Sequence, residues 1–352
     1  MTVFMGARRV ILSRMATGEL VYKVEDRSIL LPFYRRFLVD PLLPYLPAKL
    51  NPNTITHAGH LLNLGGTVLL LALWPKSGWP FVLAMVTLQL YTWCDNADGA
   101  HARRTNQCSA LGEFLDHGLD SLNTVYMAYL AAIALGVPPA WWVALALVIP
   151  GAGAVTYWEQ TQTGVFRLGL LNQLESVSVL SIVLVLSAFV GNSMWEQVAI
   201  YGFTLQRAIL LWSAGTILFG MVRGMHRVAT RDGLAAVAPV LALLAFGVAI
   251  AFAASTSAIT TVTGVILATC GNVYFCARML SLRLYKKPPR VEAVLVVFTA
   301  ALLLMIVWSH LGHRQSGLAG PALAMLACAV FGAQAIQDTR SSIQQIMRFP
   351  AR

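Results

Sequence analysis

WPFVLAMVTLQLYTWCDNADGAHARRTNQCSALGEFLDHGLDSLNTVYMAYLAAIAL, residues 79–135, reads as two apolar runs joined by a short polar connection, with acidic residues crowded around the join. About 20 mainly apolar residues cross roughly 30 Å of hydrocarbon, and each run approaches or reaches that length. Working outward, comparable runs recur, giving ten expected spans near 54–74, 79–98, 110–135, 140–158, 176–191, 208–225, 234–254, 259–279, 291–309 and 318–336. The whole chain agrees, with 57% hydrophobic and 11% charged residues and a mean hydropathy of +0.68, where a soluble domain is about one quarter charged. That excludes a cytosolic globular protein, and also a disordered chain, which needs low hydrophobicity and high net charge. The expected fold class is an all-α integral membrane protein with about ten transmembrane helices.

The net charge of +10 does not point to nucleic acid, because the basic residues form short islands between apolar runs rather than one polar face. Apart from Lys76, Arg207 and Arg314, every Lys and Arg falls at the N-terminus, in the last residues of even-numbered spans or the connections after them, or at the C-terminus. By the positive-inside rule this predicts an even number of spans, oriented N-in and C-in. Residues 1–50 interleave Arg8, Arg9, Arg14, Lys23, Arg35 and Arg36 with Ile11, Leu12, Leu30, Leu31, Phe33, Phe37 and Leu38, a pattern expected of amphipathic helices lying on cytoplasmic headgroups. The organisation expected is an interfacial segment over 1–50, a membrane domain over 51–340 with its catalytic core about 51–191, and a cytoplasmic tail over 341–352. The opening MTVFMGARRV lacks the apolar core of a signal peptide, so insertion is expected to begin with the first span. Cys94, Cys108, Cys270, Cys276 and Cys328 form no CxxC pair and suggest neither zinc nor a disulfide framework.

An ionisable residue inside a span costs several kcal/mol and is therefore a functional-site hypothesis. Asp95 and Asp98 stand i, i+3 at the end of the second span, and Asp116 and Asp120 stand i, i+4 near the start of the third. Each pair occupies one helix face, and the short connection lets the two faces converge. Four carboxylates at low dielectric cannot all stay ionised without cations between them. Hard oxygen donors favour Mg²⁺, Mn²⁺ or Ca²⁺, and two ions balance four carboxylates better than one. Gly99 and Ala102 leave the helix surface bare, Arg103 offers a planar fork to phosphate, and Gly112 opens the facing helix. Such a constellation suits in-line displacement at phosphorus. A rival from another class, a divalent-cation channel or transporter, would need acidic groups through the membrane depth, which spans four to ten lack.

Asp95-Asn-Ala-Asp98-Gly99-Ala-His-Ala102-Arg103, then eight residues, Gly112, three residues, Asp116, three residues and Asp120, matches the D-x-x-D-G-x-x-A-R-x8-G-x3-D-x3-D signature of the CDP-alcohol phosphotransferase family. The stretches ARRTN and LGE-x-x-DHG-x-DS within residues 102–121 resemble its choline/ethanolamine phosphotransferase branch. So do Tyr22-Lys23 with Asp26, Arg27 and Ser28, and Pro52-Asn53-Thr54-Ile55-Thr56. Downstream, Trp158-Glu159, Thr163-Gly164 and the pair Asn172 and Glu175 are similar to the family's text, whereas beyond about residue 180 only topology is matched.

The resemblance implies transfer of phosphocholine or phosphoethanolamine from CDP-choline or CDP-ethanolamine to diacylglycerol, with CMP leaving. It implies Mg²⁺ or Mn²⁺, two ions, on Asp95, Asp98, Asp116 and Asp120, the last a ligand, a base or both. Asn53, Asp98, Gly99, Ala102, Arg103 and Gly112 would cradle the CDP-alcohol. His117, set between the last two aspartates, and Glu175 are the other candidate bases. The implied setting is an endoplasmic reticulum or bacterial inner membrane, with the site on the cytoplasmic side, membrane lipids as neighbours and homodimers common. An alternative keeps the site but uses a CDP-diacylglycerol donor and a small polar alcohol, as in phosphatidyl-alcohol synthases. Trp141, Trp142 and Trp158 suggest an aromatic box for a quaternary ammonium, and His57 and His60 a polar packing role on the first span.

Overall fold

The computed structural model describes residues 9–14, 21–74, 78–169, 172–197, 199–311 and 318–348; Arg8, Lys76, Arg314 and the last residues of the expected tail lie outside them. Ten helices of 18 residues or more occur among the described residues, one for each expected span. They are α1 (Pro52–Leu73), α2 (Trp79–Thr105), α3 (Ala110–Ala134), α4 (Trp142–Thr163) and α5 (Gln173–Val190), followed by α6 (Leu205–Asp232), α7 (Ala238–Ser255), α8 (Thr261–Leu284), α9 (Ala293–His310) and α10 (Ala319–Arg348). Among the described residues, eight helical segments are long and apolar enough to cross a membrane. The other two helices, α2 and α3, are long enough but are made more polar by the carboxylates and arginines of the acidic hairpin. The chain is thus an all-α integral membrane protein, with small sheets at its connections.

Within residues 1–50, the described stretches 9–14 and 21–26 are strands where amphipathic helices were expected. Strand β1 (Arg9–Arg14) pairs antiparallel with β2 (Val21–Asp26) in a register running from Arg9 opposite Asp26 to Arg14 opposite Val21. Strand β2 pairs in parallel with β3 (Val165–Leu168), Lys23 opposite Val165 and Asp26 opposite Leu168. Val10, Ile11, Val21, Tyr22 and Val24 carry the branched and aromatic side chains that favour extended backbone. The β3 edge, in the connection between α4 and α5, supplies the partner that the sequence pattern does not display. Among the described residues, helical backbone begins at Leu31–Tyr34 and continues through Arg35–Val39. Here the Tyr34 hydroxyl donates to Gln89 O at 3.4 Å, and burial, with the Asp95 charge behind it, pushes the Tyr34 phenol up to about 12.

Two compact units divide the chain, one drawn from Met1–Gly136 and Gly164–Thr216 with Arg348–Arg352, the other from Val137–Thr163 and Ile217–Met347. In the first, α2 packs against α1 and α5, and α3 against α1 and α5. Asn51 caps α1, its side chain accepting from Asn53 N at 3.0 Å, and Pro52 opens the helix. Partner pairs fix the directions. His60 faces Asp120 and Asn63 faces Asn123, so α1 and α3 run parallel, whereas Thr56 meets Asp98 and Gly66 meets Thr87 across the antiparallel α1 and α2. Spans one and three must share a direction that span two reverses, and these pairs conform.

In the second unit, α4 packs against α7 and α8, and α7 against α8 and α9. Cys270 and Cys328, Tyr274 and Phe331, Arg278 and Asp338, and Ser281 and Ser342 step together along α8 and α10, which therefore run parallel. Arg278 holds Glu292 at 2.9 Å and Asp338 at 3.1 Å. The aromatic box is not assembled. Trp142 and Trp158 lie on one helix, about 24 Å apart at 1.5 Å per residue, and Trp158 is fully buried while Trp141 is exposed.

The contact between α1 and α2 depends on glycine. A Cβ at Gly59 would stand 2.6 Å from the Cys94 Cβ, so a larger residue must push apart the helices that carry Thr56 and Asp98. Gly59→Ala is expected to lower the stability of the detergent-solubilised protein by about 1–3 kcal/mol, read from its thermal unfolding midpoint.

Candidate active site

The polar connection of the acidic hairpin is built from two helix caps. Helix α2 ends at Asn106, whose φ of 57° is left-handed, a conformation asparagine tolerates. The Gln107 N–H then donates to Ala102 O at 2.8 Å. Ser109 opens α3 by accepting from Gly112 N at 3.0 Å. Between them, His101 Nε2 lies 3.0 Å from Leu50 O, Arg104 donates to Leu46 O at 2.8 Å and Gln107 donates to Ala48 O at 3.0 Å. The ARRTNQCS text therefore ends one helix, starts the next and fastens the segment that leads into α1.

This turn brings the aspartates together. Asp95, Asp116 and Asp120 each offer a carboxylate oxygen, and the three atoms lie within 4.8 Å of one another. Asp116 Oδ1 is buried and has no hydrogen-bond partner. Three carboxylates at this spacing, one with an unsatisfied buried oxygen, fit a divalent cation, because their mutual repulsion otherwise goes uncompensated. Asp98 is differently placed: it is 4% exposed and its Oδ2 accepts from Thr56 Oγ1. Tyr91 Oη donates to Asp120 Oδ1, and Gln173 Nε2 holds the same phenol oxygen at 2.9 Å.

The expected cradle residues fall around this cluster. The Arg103 guanidinium lies over Gly99, where a Cβ would be 3.3 Å from Nη1. Asn53 Oδ1 lies over Gly112, where a Cβ would be 3.2 Å away. Both glycines thus leave room for a polar side chain from a neighbouring turn or helix. Ala102 is buried at the end of α2. His117 is buried and stacks on Phe166 of β3, with centroids 4.8 Å apart and an interplanar angle of 26°.

Glu175 has a fastening duty. With Asn172 it forms a capping box on α5, Oε2 accepting from Asn172 N at 3.2 Å. Its Oε1 accepts from Ser28 Oγ at 2.7 Å, Ile29 N at 2.8 Å and Leu30 N at 3.1 Å. Asp26 completes the clasp, accepting from Ser28 N at 2.8 Å and from Asn172 Nδ2 at 3.0 Å. The YK…DRS lead-in is therefore tied to the start of α5.

His60 and Tyr91 are the site neighbours that sequence reasoning missed. A signal existed, since Thr56, Gly59, His60, Asn63, Gly66 and Thr67 recur at helical spacing and are all buried on α1. A polar stripe on a spanning helix marks the face turned toward protein.

Glu175→Ala removes the acceptor of four donors and is expected to raise amide exchange at residues 28–31 and 172 well above that at 95–120, with a cost of about 1–3 kcal/mol for the donors left unsatisfied. Burial, opposed by the Ser28 N–H, leaves the Asp26 carboxyl above its usual 3.8. The folded chain therefore binds this proton more readily than the unfolded chain, and the group's contribution to stability falls as pH rises from below 3.8 through the folded value. Asp26→Asn keeps an acceptor for Ser28 N without the buried charge. At pH 7 the variant is expected to protect residues 23–31 from exchange at least as well as the parent; weaker protection would contradict the sign.

Residues 49–219 match the CDP-alcohol phosphatidyltransferase family. Cholinephosphotransferase 1 of Homo sapiens is 35% identical over 193 residues, which are 53% of this chain and 48% of that protein. The Mus musculus protein of the same name is 36% identical over the same shares, and that of Danio rerio is 34% identical over 209 residues, 56% of this chain and 54% of its own. This chain thus aligns with about half the length of the curated relatives it matches. The matched region holds α1 to α5 with every aspartate of the cluster, and over those residues the chain is similar to the CDP-alcohol phosphatidyltransferase family.

Proposed function

We propose that the protein transfers phosphocholine or phosphoethanolamine from CDP-choline or CDP-ethanolamine to diacylglycerol, releasing CMP. The observation that carries this is the trio Asp95, Asp116 and Asp120, with ligand atoms within 4.8 Å, inside a region similar to cholinephosphotransferases. Asp95, Asp98, Asp116 and Asp120 would hold two Mg²⁺ or Mn²⁺ ions. Bound there, such ions neutralise phosphate charge and stabilise the attacking and leaving oxygens of an in-line displacement.

The chain's own residues do the rest. Asn53, Arg103 and the bare surfaces of Gly99, Ala102 and Gly112 receive the cytidine diphosphate. The diacylglycerol hydroxyl oxygen forms a bond to the phosphorus that bears the amino alcohol, the bond from that phosphorus to the bridging oxygen breaks, and CMP departs with that oxygen. His117 accepts the hydroxyl proton, its ring plane set by Phe166. Asp120 is held by Tyr91 as a ligand, and Glu175 keeps its positional task. All ten long helices cross the membrane with both termini in the cytoplasm, so the soluble nucleotide enters from that side and diacylglycerol arrives from the leaflet. The membrane is an endoplasmic reticulum or a bacterial inner membrane.

The purified full chain, given diacylglycerol with Mg²⁺ or Mn²⁺, is expected to release CMP from CDP-choline or CDP-ethanolamine. Release only from CDP-diacylglycerol with a polar alcohol would transfer the lipid to the donor side and overturn the proposal. Asp116→Asn is expected to abolish turnover while preserving the elution profile. His117→Ala is expected to lower kcat about 10²–10⁴-fold with little change in KM for the CDP-alcohol; an active variant would remove His117 as the base.

A further inference from the structure

The last turns of α2 carry a fully buried imidazole that the transfer reaction above does not use. His101 is 0% exposed, its Nε2 lies 3.0 Å from Leu50 O and its Nδ1 lies 3.2 Å from Arg104 Nη2. A carbonyl only accepts and a guanidinium only donates, so Nε2 carries the hydrogen and Nδ1 is the acceptor. One neutral tautomer of His101 therefore serves two partners at once. Arg104 Nη2 also donates to Leu46 O at 2.8 Å, and Gln107 Nε2 reaches Ala48 O at 3.0 Å and Leu50 O at 3.4 Å. Thr105 Oγ1 joins the set, accepting from Gln107 Nε2 at 2.9 Å and donating to His101 O at 2.8 Å.

Every acceptor on the facing segment is a backbone carbonyl of residues 46–50, which close on themselves where Leu50 N donates to Pro47 O at 2.9 Å. The next residue, Asn51, caps α1. Asn53 follows in the first turn, its Oδ1 over Gly112 at the start of α3. The cradle for the CDP-alcohol is thus divided among three helix termini: Gly99, Ala102 and Arg103 belong to the end of α2, Gly112 to the start of α3 and Asn53 to the start of α1. Helix ends fray, and the first turn of a helix lacks partners for its N–H groups. The adjacent arginines divide the work, Arg103 lying over Gly99 while Arg104 turns to the segment that enters α1.

We propose that His101 is a positioning residue for the CDP-alcohol. Through the Leu50 carbonyl and Arg104 it fixes the entry of α1, and so holds Asn53 at a set distance from Arg103. This rests on the CDP-alcohol reading above and adds that nucleotide affinity is governed from a side chain that touches no substrate. A preset cradle binds with less ordering cost than one assembled around its ligand. Leucine at 101 fills the space but leaves Leu50 O with the long Gln107 bond and takes one acceptor from Arg104. Glutamine carries a donor and an acceptor together and can serve both ends.

The test combines steady-state kinetics, binding of CDP-choline and CDP-ethanolamine, and amide exchange on the full chain in detergent. His101→Leu is expected to raise KM and Kd for the CDP-alcohol on the order of tenfold, with kcat within about twofold of the parent. Exchange is expected to quicken at residues 50–57 while 110–120 keep their protection, and His101→Gln is expected to restore KM and Kd. Added to Arg104→Met, His101→Leu is expected to raise KM by less than the product of the single effects, because both side chains act on one segment. A purely structural role would lower the amount of active protein and leave KM alone. An unmoved KM in His101→Leu, or a KM that His101→Gln fails to restore, overturns the proposal and leaves the proposed function standing. If His101→Leu does not fold, the exposed Arg104→Met decides by the same split between KM and kcat. CDP-alcohol binding without CMP release refutes the proposed function, and the clasp is then judged on Kd; a parent that binds no CDP-alcohol overturns both.

Discussion

Three carboxylates held within 4.8 Å of one another between the helices of a membrane protein are the constraint around which the first unit is organised. Their repulsion grows as water is removed, so the backbone that carries them must be fastened before the cluster can exist. The fastening is local and specific. Asn106 ends one helix in a left-handed turn, Ser109 starts the next, and Gly59 lets α1 come close enough to α2 for Thr56 to reach Asp98. The cluster persists because these caps and contacts outweigh its self-repulsion, and a bound cation would reverse the sign of that repulsion.

The polar groups around the cluster divide into those that hold and those available to react. Tyr91, bridged to Gln173, occupies one oxygen of Asp120. Glu175 is spent on four donors that tie residues 28–30 to α5, which explains why a buried acid here is compatible with a fold otherwise poor in charge. His117 keeps an aromatic partner, and Asp116 Oδ1 keeps none. The second unit spends its buried charge in another way, closing Glu159 on Arg227 with both hydrogen bonds at 2.7 Å and joining Arg278 to two acids. Such paired charges define helix register and leave no carboxylate of those pairs to share a cation.

Much of this was legible in the amino-acid sequence. The hydropathy runs located all ten long helices within several residues at most ends, because an apolar run flanked by charges has few alternatives in a bilayer. The spacing of Asp95, Asp98, Asp116 and Asp120 pointed to a carboxylate cluster, because residues three or four apart share a helix face and a short connection forces two such faces to meet; three of the four come together and Asp98 turns to Thr56. The strands β1 and β2 were not legible, since β3, the second partner of β2, lies some 140 residues away and basic-apolar alternation also fits a surface helix. Nor was the aromatic box excluded by the sequence, though a continuous α4 places two of its tryptophans at opposite ends.

The sequence by itself determined the solvent, the helices, the acidic hairpin and the family text, all of which follow from local periodicity and composition. Only the tertiary structure decided which side chains those helices turn toward one another. It set Asp98 on Thr56 and apart from the trio, gave Glu175 to the N-terminal segment, and brought His60 and Tyr91 to Asp120 from two other helices. Helical period fixes the face on which a residue sits. What that face meets depends on crossing angle and close approach, and these are set by glycines, caps and long-range polar pairs acting together.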